Sequence, residues 1–374
     1  MRMKLTLTKN DLSKVESLIN TKYLNIEADE FFSEYLQDNY LAVNKKDVED
    51  LVKTQSMSKN EAFITSLLLA KDISPEDEEF LKMKKEGYFD NICFQQAAKY
   101  KKNPFGLLMK VDERKEGNWY LSYNYYEPYE GFLYNDVYAD KNNYYAEINS
   151  IGYFEEKVPY LTIIENDEVW MSITPFEINT MQKAIDDAHG NVLTYGLGLG
   201  YYTFMALNNP NVDTVTVIEK DAKAIKLFNE EILPKIRLKD KLKIIKADAF
   251  SYTKNHFSAG NYNYVFFDIY HSAIDGISSY LKMKKFEDTY KDTKFVYWIE
   301  GSILSLLRRY LVTLIEENLE GFTDQDYQIS TNDEEKLINS IYKEMKDITF
   351  TSYDEIHNFL SDENLKEFAK KISI

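Results

Sequence analysis

Cysteine is nearly missing from this 374-residue chain: Cys93 is the only one, so no disulfide can form within it and no Cys-based zinc cluster can be built. Histidine is almost as scarce. The four, His189, His256, His271 and His357, are scattered without metal-ligand spacing, and no metal is expected. No apolar run approaches the length of a membrane span, and the opening Met-Arg-Met-Lys leads into polar alternation in place of an apolar leader. A cytoplasmic protein with no membrane partner is the expectation. Positive charge is in short supply too: 45 Lys and Arg face 62 Asp and Glu, a net charge of −17 that opposes phosphate backbones. The basic clusters Lys99 to Lys102 and Lys282 to Lys285 are short, interrupted and read as solvated faces, so no nucleic-acid partner is expected. There is no internal repeat and no low-complexity linker.

What remains is a folded composition, 44% hydrophobic against 29% charged, at a length that suits two domains or one domain with large additions. The 30 tyrosines would suit a site for a cation, yet their spread over the whole chain reads as background composition. Apolar positions recur at helical spacing early on, as in Leu12, Val15, Leu18 and Ile19 and again in Phe63, Ile64, Leu67 and Leu68, where Ser58 and Glu61 form a capping box. Residues 1–112 therefore read as a helical domain. Residues 113–173 turn to short stretches of Tyr, Val, Ile and Trp broken by turn residues, with a hairpin expected between Tyr160–Ile164 and Glu168–Ile173. Tyr125, Tyr126 and Trp170 are aromatic wall candidates there, although aromatic strand residues usually serve as core.

At Thr174-Pro175-Phe176-Glu177 a helix starts, with Pro at its first position and Glu177 able to close a capping box on Thr174. It stops at Gly190. Strands follow at Val192–Tyr195, Thr214–Ile218, Leu242–Ile245, Tyr264–Phe267 and Lys294–Ile299, with helices at Tyr201–Leu207, Asp221–Leu233 and Ile303–Leu319. Near-continuous apolar strands separated by helices predict an α/β fold over 174–322, a doubly wound, mostly parallel, Rossmann-like sheet covered on both faces. Residues 323–374 read as a helical extension that packs over the core or forms a homodimer contact. Ile348–Phe350 is the one short candidate for a further strand of the sheet.

The most informative stretch is Tyr195-Gly196-Leu-Gly198-Leu-Gly200-Tyr201, three glycines directly after a buried strand and at the mouth of a helix. Glycine serves there because the turn needs unusual φ and because a Cβ would hold a ligand off the backbone. The second strand ends at Glu219, where a carboxylate can accept both ribose hydroxyls; the third delivers Asp248-Ala249 and the fourth Asp268. Bulky Tyr201 stands where a dinucleotide fingerprint needs a third small residue, which argues against NAD. Each motif also has a plainer reading: the glycines as a tight turn, Glu219 and Asp221 as acids at a helix N-terminus, Asp248 as an N-cap.

Gly-x-Gly-x-Gly, a Glu ending the second strand and Asp-Ala after the third together resemble the class I S-adenosylmethionine-dependent methyltransferases, and Val217-Ile-Glu219-Lys220-Asp221 with Asp248-Ala249 is most similar to the spermidine synthase-like branch. The resemblance covers 174–322, under half the chain. It implies S-adenosylmethionine as cofactor, with Gly196, Gly198 and Gly200 against the methionine moiety, Glu219 on the ribose and Asp248 with Ala249 at the adenine; Tyr195, Lys220 and Asp268 join them as cofactor-site positions. Two departures from the branch bear on the reaction. The glycine turn carries no Asp, and Asp268-Ile-Tyr270-His271 has His where a second carboxylate stands in spermidine synthases.

The expected function is thus methyl transfer to a small-molecule acceptor, with aminopropyl transfer from decarboxylated S-adenosylmethionine as the alternative and a non-catalytic cofactor-binding module as a third reading. Methyl transfer from a sulfonium is an in-line displacement that needs alignment above all. A base is needed only for a protonated acceptor. Asp268 and His271 are the expected catalytic pair, His271 oriented by Asp268, and Tyr270, His271 and Glu300 are expected to wall the acceptor.

Overall fold

A computed structural model describes residues 3–38, 40–108, 114–116, 119–165 and 168–374, the side chains of 114–116, 119, 165, 168 and 170 aside. The chain opens with strand β1 (Lys4–Leu5) and four helices, α1 (Lys9–Asp38), α2 (Lys45–Gln55), α3 (Lys59–Ala70) and α4 (Glu78–Lys85). Ser58 and Glu61 do form a reciprocal capping box at the head of α3. There follow β2 (Ile92–Phe94), α5 (Ala97–Lys101), α6 (Pro104–Leu108), and strands β3 (Arg114–Glu116), β4 (Trp119–Tyr126), β5 (Gly131–Asp140), β6 (Ala146–Tyr153), β7 (Val158–Glu165) and β8 (Glu168–Ser172). The expected hairpin is β7 against β8; its turn residues Asn166 and Asp167 lie outside the described residues.

These strands make two small sheets, β2-β6-β5 and β3-β4-β7-β8. Because β2 pairs in parallel with β6, the helical and strand segments share one core: Phe63 stacks on Tyr153 with centroids 4.2 Å apart, and Leu24 to Ile92 pack with Tyr129 to Tyr153. Packing therefore crosses the boundary drawn at 112. The helical segment is fastened to the rest by charge as well, since Arg309 bonds buried Glu147 on β6 and Asp29 on α1 (2.8 Å).

The larger unit comprises α7 (Pro175–Asp187), β9 (Gly190–Tyr195), α8 (Tyr201–Leu207), β10 (Val212–Glu219), α9 (Ala222–Leu227), β11 (Leu242–Lys246), α10 (Ala249–His256), β12 (Tyr264–Phe267), α11 (Ala273–Glu287), β13 (Lys294–Tyr297) and α12 (Glu300–Glu320). Its five strands are all parallel in the order β11-β10-β9-β12-β13. Val192, Leu193, Val215, Val217 and all of β12 are buried, the pattern of strands covered on both faces. The order reverses at β9, and the crevice outside the carboxyl ends at such a reversal is where ligands bind in this architecture. The helix expected over 221–233 gives way after Leu227 to a wider turn and then a tight one at Pro234, which cannot continue a helix.

The sheet ends at β13. Helices α13 (Asp333–Met345), α14 (Tyr353–Phe359) and α15 (Asp362–Ala369) follow, and β14 (Thr349–Phe350), the candidate for a further strand, pairs instead with β1. Among the described residues no helix is long and apolar enough to cross a membrane.

Candidate functional site

A cavity of about 400 Å³ opens at the carboxyl ends of β9, β10 and β12, lined among others by Gly196, Gly198, Glu219, Lys220, Asp248, Ala249, Asp268, Tyr270 and His271. The chain reversal at β9 thus gathers most of the sequence-derived cofactor positions in one crevice. The three glycines do different things there. Gly196, at φ +91°, lets the ends of β9 and β12 cross so closely that a Cβ would come within 1.8 Å of the Asp268 carbonyl oxygen. Gly198, at φ +53°, borders the cavity itself: a Cβ there would meet nothing nearer than the Met171 sulfur at 3.9 Å, so its absence leaves room for a ligand.

Glu219 ends β10 and ties the turn together. One carboxylate oxygen accepts the Leu197 N–H (2.9 Å) and the other the Asp221 N–H (2.7 Å), which leaves each oxygen a further lone pair toward the cavity. Asp221 and Asp248 cap α9 and α10 by accepting the N–H of Lys223 (2.7 Å) and Ser251 (2.8 Å). The plainer reading of both acids is therefore real. For both it coexists with a position in the cavity wall. Tyr201 heads α8 on the same wall, its hydroxyl accepting from Asn103 (3.1 Å) and its ring edge-on to Phe105, so α6 packs onto the mouth of the glycine turn.

Deeper in, the crevice holds two carboxylates that have no hydrogen-bond donor or cation on them among the described residues: Asp268 at the end of β12 and Glu177 in the first turn of α7. Thr174 accepts the Glu177 N–H (3.4 Å), but the Glu177 side chain does not reach back, so the capping box expected there is half made and the carboxylate faces the cavity. Burial, and then the charge of Asp268, push the Glu177 carboxyl up to about 8. Burial, with Glu219 adding to it, pushes Asp268 up to about 7. Both are poised to accept a proton or to hold a cation near neutral pH.

A second cavity of about 580 Å³ adjoins the first and shares Ser172, Glu177, His271 and Trp298 with it. Its other walls come from β4, β5, β7 and the segment after α1, including Tyr125, Tyr126, Glu130, Phe132 and Tyr160. Trp298 divides the two. Its indole N–H donates to Thr180 on α7 (2.9 Å), its carbonyl accepts the Tyr270 hydroxyl (2.6 Å), and its ring meets Phe176 edge-on. The next residue, Ile299, sits at φ +42°, a costly conformation for a β-branched side chain. Half-buried Asp136 on β5 holds that turn by accepting from the Gly301 N–H (2.9 Å), the Ser302 N–H (3.2 Å) and the Ser302 hydroxyl (2.5 Å), and so caps α12 where Ile299 cannot.

Several expected positions fall elsewhere. The Tyr195 ring turns away from the crevice to bond Thr253 (2.5 Å), because alternation along β9 points it under α10. Gly200, at φ +80°, makes room for the Phe228 ring, which a Cβ would approach to 2.3 Å, and it does not line the cavity. Glu300 is turned toward α11 and α15, where it accepts from Tyr280 (2.9 Å) and pairs with Lys366 (2.9 Å), away from both cavities. Tyr270 lines the crevice, but its hydroxyl is committed to Trp298. His271 is exposed at the junction of the cavities, and no hydrogen bond joins its ring to Asp268; its backbone N–H binds Asp275 instead. Glu177 and Trp298, which do face both cavities, are not among the sequence-derived site residues, Glu177 reading there only as a helix cap. The one available signal for Glu177 was an acid in the first turn of the helix that precedes the glycine turn. Among the described residues no group of His, Cys, Asp and Glu could hold a metal ion.

No family model matches the chain, and no curated protein matches it. Similar solved structures include a spermidine synthase from Thermotoga maritima, 12% identical over 34% of this chain and 48% of that one (TM-score 0.25), and a probable spermidine synthase from Corynebacterium glutamicum, 17% identical over 41% and 62% (TM-score 0.29). MNMC2 from Aquifex aeolicus is 15% identical over 68% of this chain and 77% of that one (TM-score 0.25). The chain spans about half the length of the first of these.

Proposed function

We propose that the chain binds S-adenosylmethionine along the crevice and transfers its methyl group to a small molecule held in the adjoining cavity. The supporting observation is the pair Glu177 and Asp268, two carboxylates without a cation, in one crevice with the glycine turn and Glu219. Such a lining repels the diphosphate of a dinucleotide and attracts a cofactor that brings its own positive charge. When bound, the cofactor supplies a methyl carbon activated by a sulfonium. Glu219 holds the ribose hydroxyls through its remaining lone pairs, Asp248 and Ala249 meet the adenine, and the cleared space at Gly198 takes the chain that joins sulfur to the ammonium. Asp268 or Glu177 receives the proton of an acceptor that arrives protonated.

A second reading is favoured by one observation. Among the described residues Lys220 is the only Lys or Arg on the crevice wall, and it stands beside Glu219. No fixed cation therefore awaits the methionine carboxylate near Asp268, and aminopropyl transfer from the decarboxylated cofactor fits the same lining. Calorimetric titration with S-adenosylmethionine, its decarboxylated form and NADH, repeated on Glu219→Ala, tests both. Sulfonium binding lost in the variant is the expected result, and a preference for the decarboxylated form would favour aminopropyl transfer. Binding of NADH alone would refute both.

A further inference from the structure

We propose that the second cavity takes a monoamine with an aromatic body, of the arylalkylamine class, with its ammonium seated against Glu177. This rests on reading the first cavity as the cofactor site. The charges at the second cavity favour Glu177 as the seat of an ammonium: Glu127 is paired with Lys157, and Glu130, which carries no cation, accepts the Glu127 N–H (2.7 Å), so among the described residues Glu177 is the one carboxylate there with neither a cation nor a donor. The walls select an apolar body. Tyr126 packs against Phe132 and Tyr160 with centroids 4.5 and 4.7 Å away, and Phe176 and Trp298 form the floor. At the mouth Tyr40, Leu41, Tyr125 and Leu133 are exposed together, an apolar rim on a chain of charge −17.

A linear di- or polyamine would have to seat its second ammonium on Glu130 in competition with the Glu127 N–H, and a space of about 580 Å³ is wider than a methylene chain requires. Seated there, the amine loses a proton to the Glu177 carboxylate. Its freed lone pair then forms the N–C bond to the methyl carbon as the C–S pair returns to sulfur, leaving a methylated ammonium that now carries the sulfonium's charge, a neutral thioether and a protonated Glu177 that discharges to solvent.

The test is calorimetric titration of the full chain with phenethylamine, 1,4-diaminobutane and phenylacetate, with and without saturating S-adenosylhomocysteine. Phenethylamine is expected to bind at least tenfold more tightly than the diamine, and phenylacetate not to bind. Tyr160→Ala should weaken phenethylamine by about tenfold and leave S-adenosylhomocysteine unchanged, because Tyr160 lines the second cavity alone. A tighter diamine, or binding of S-adenosylhomocysteine with no amine bound, overturns the proposal. Tyr160-dependent amine binding without any S-adenosylhomocysteine binding supports the amine site and overturns the cofactor reading instead.

Discussion

Replacing Glu177 by Gln should make the unliganded protein more stable in alkaline solution. Burial and Asp268 raise the carboxyl from 4.5 to about 8 in the fold, while in the unfolded chain it ionises as an ordinary carboxyl. Between these values the unfolded chain has released the proton and the fold still holds it, so this group's contribution is fully present below about pH 4.5 and is lost as pH rises toward 8. At about 1.4 kcal/mol per unit of pH the ceiling is about 4 to 5 kcal/mol. Water entering the crevice screens the charge and reduces the expected figure to about 1–2 kcal/mol. Gln keeps the shape and removes the ionisation. The variant should therefore exceed the parent by about 1–2 kcal/mol at pH 8 and by only a few tenths at pH 5, read from urea midpoints at unchanged slope. Saturating S-adenosylmethionine should erase the gain, because the cation then compensates the parent's carboxylate. A variant no more stable than the parent at pH 8 would refute the argument, since Glu177 would then already have a donor or a cation upon it.

The glycines should separate by substitution. Gly198→Ala should fold, at a cost of about 1 kcal/mol for its left-handed φ, and lose cofactor binding in calorimetry; Gly196→Ala should fail to yield soluble, cooperatively unfolding protein, because its Cβ would overlap the Asp268 carbonyl. Asp136→Ala should cost about 2–3 kcal/mol by urea denaturation, since it strips the cap from α12 and leaves two N–H groups at a strained turn without an acceptor. Arg309→Met should cost about 3–5 kcal/mol, because Glu147 then stays buried without its cation, and a midpoint unchanged within error would show that water reaches Glu147.

How much of this was legible follows from where each signal resides. The parallel sheet could be read because burial on both faces demands unbroken apolar runs such as Tyr264–Phe267, and a run of that kind needs no partner residue to be recognised. Glu219, Asp248 and Asp268 could be read because the ends of parallel strands converge whatever the loops do. Helix α11 was missed: its buried side includes Gly276 and Lys284, and Gly276 is there because the Tyr270 ring lies where a Cβ would be, a reason visible only in three dimensions.

The second cavity was hidden for a different physical reason. Thr174-x-x-Glu177 is a local pattern that the chain can satisfy by itself, and reading it that way assigns the carboxylate to the helix end. In the fold the side chain leaves that role to Thr174 alone and turns into the crevice. Trp298 is similar, because an aromatic at a strand end reads as core. It becomes a partition only because the chain turns at Ile299 into a conformation held by Asp136, more than 160 residues away. Glu300 followed from the opposite error. Strand β13 stops at Tyr297, earlier than its apolar pattern suggested, so Glu300 already lies in α12 and faces Lys366. Residues at strand ends in such a sheet recur with the architecture, whereas the walls of the second cavity depend on contacts between β4, β5, β7 and α7 that no spacing in the sequence encodes.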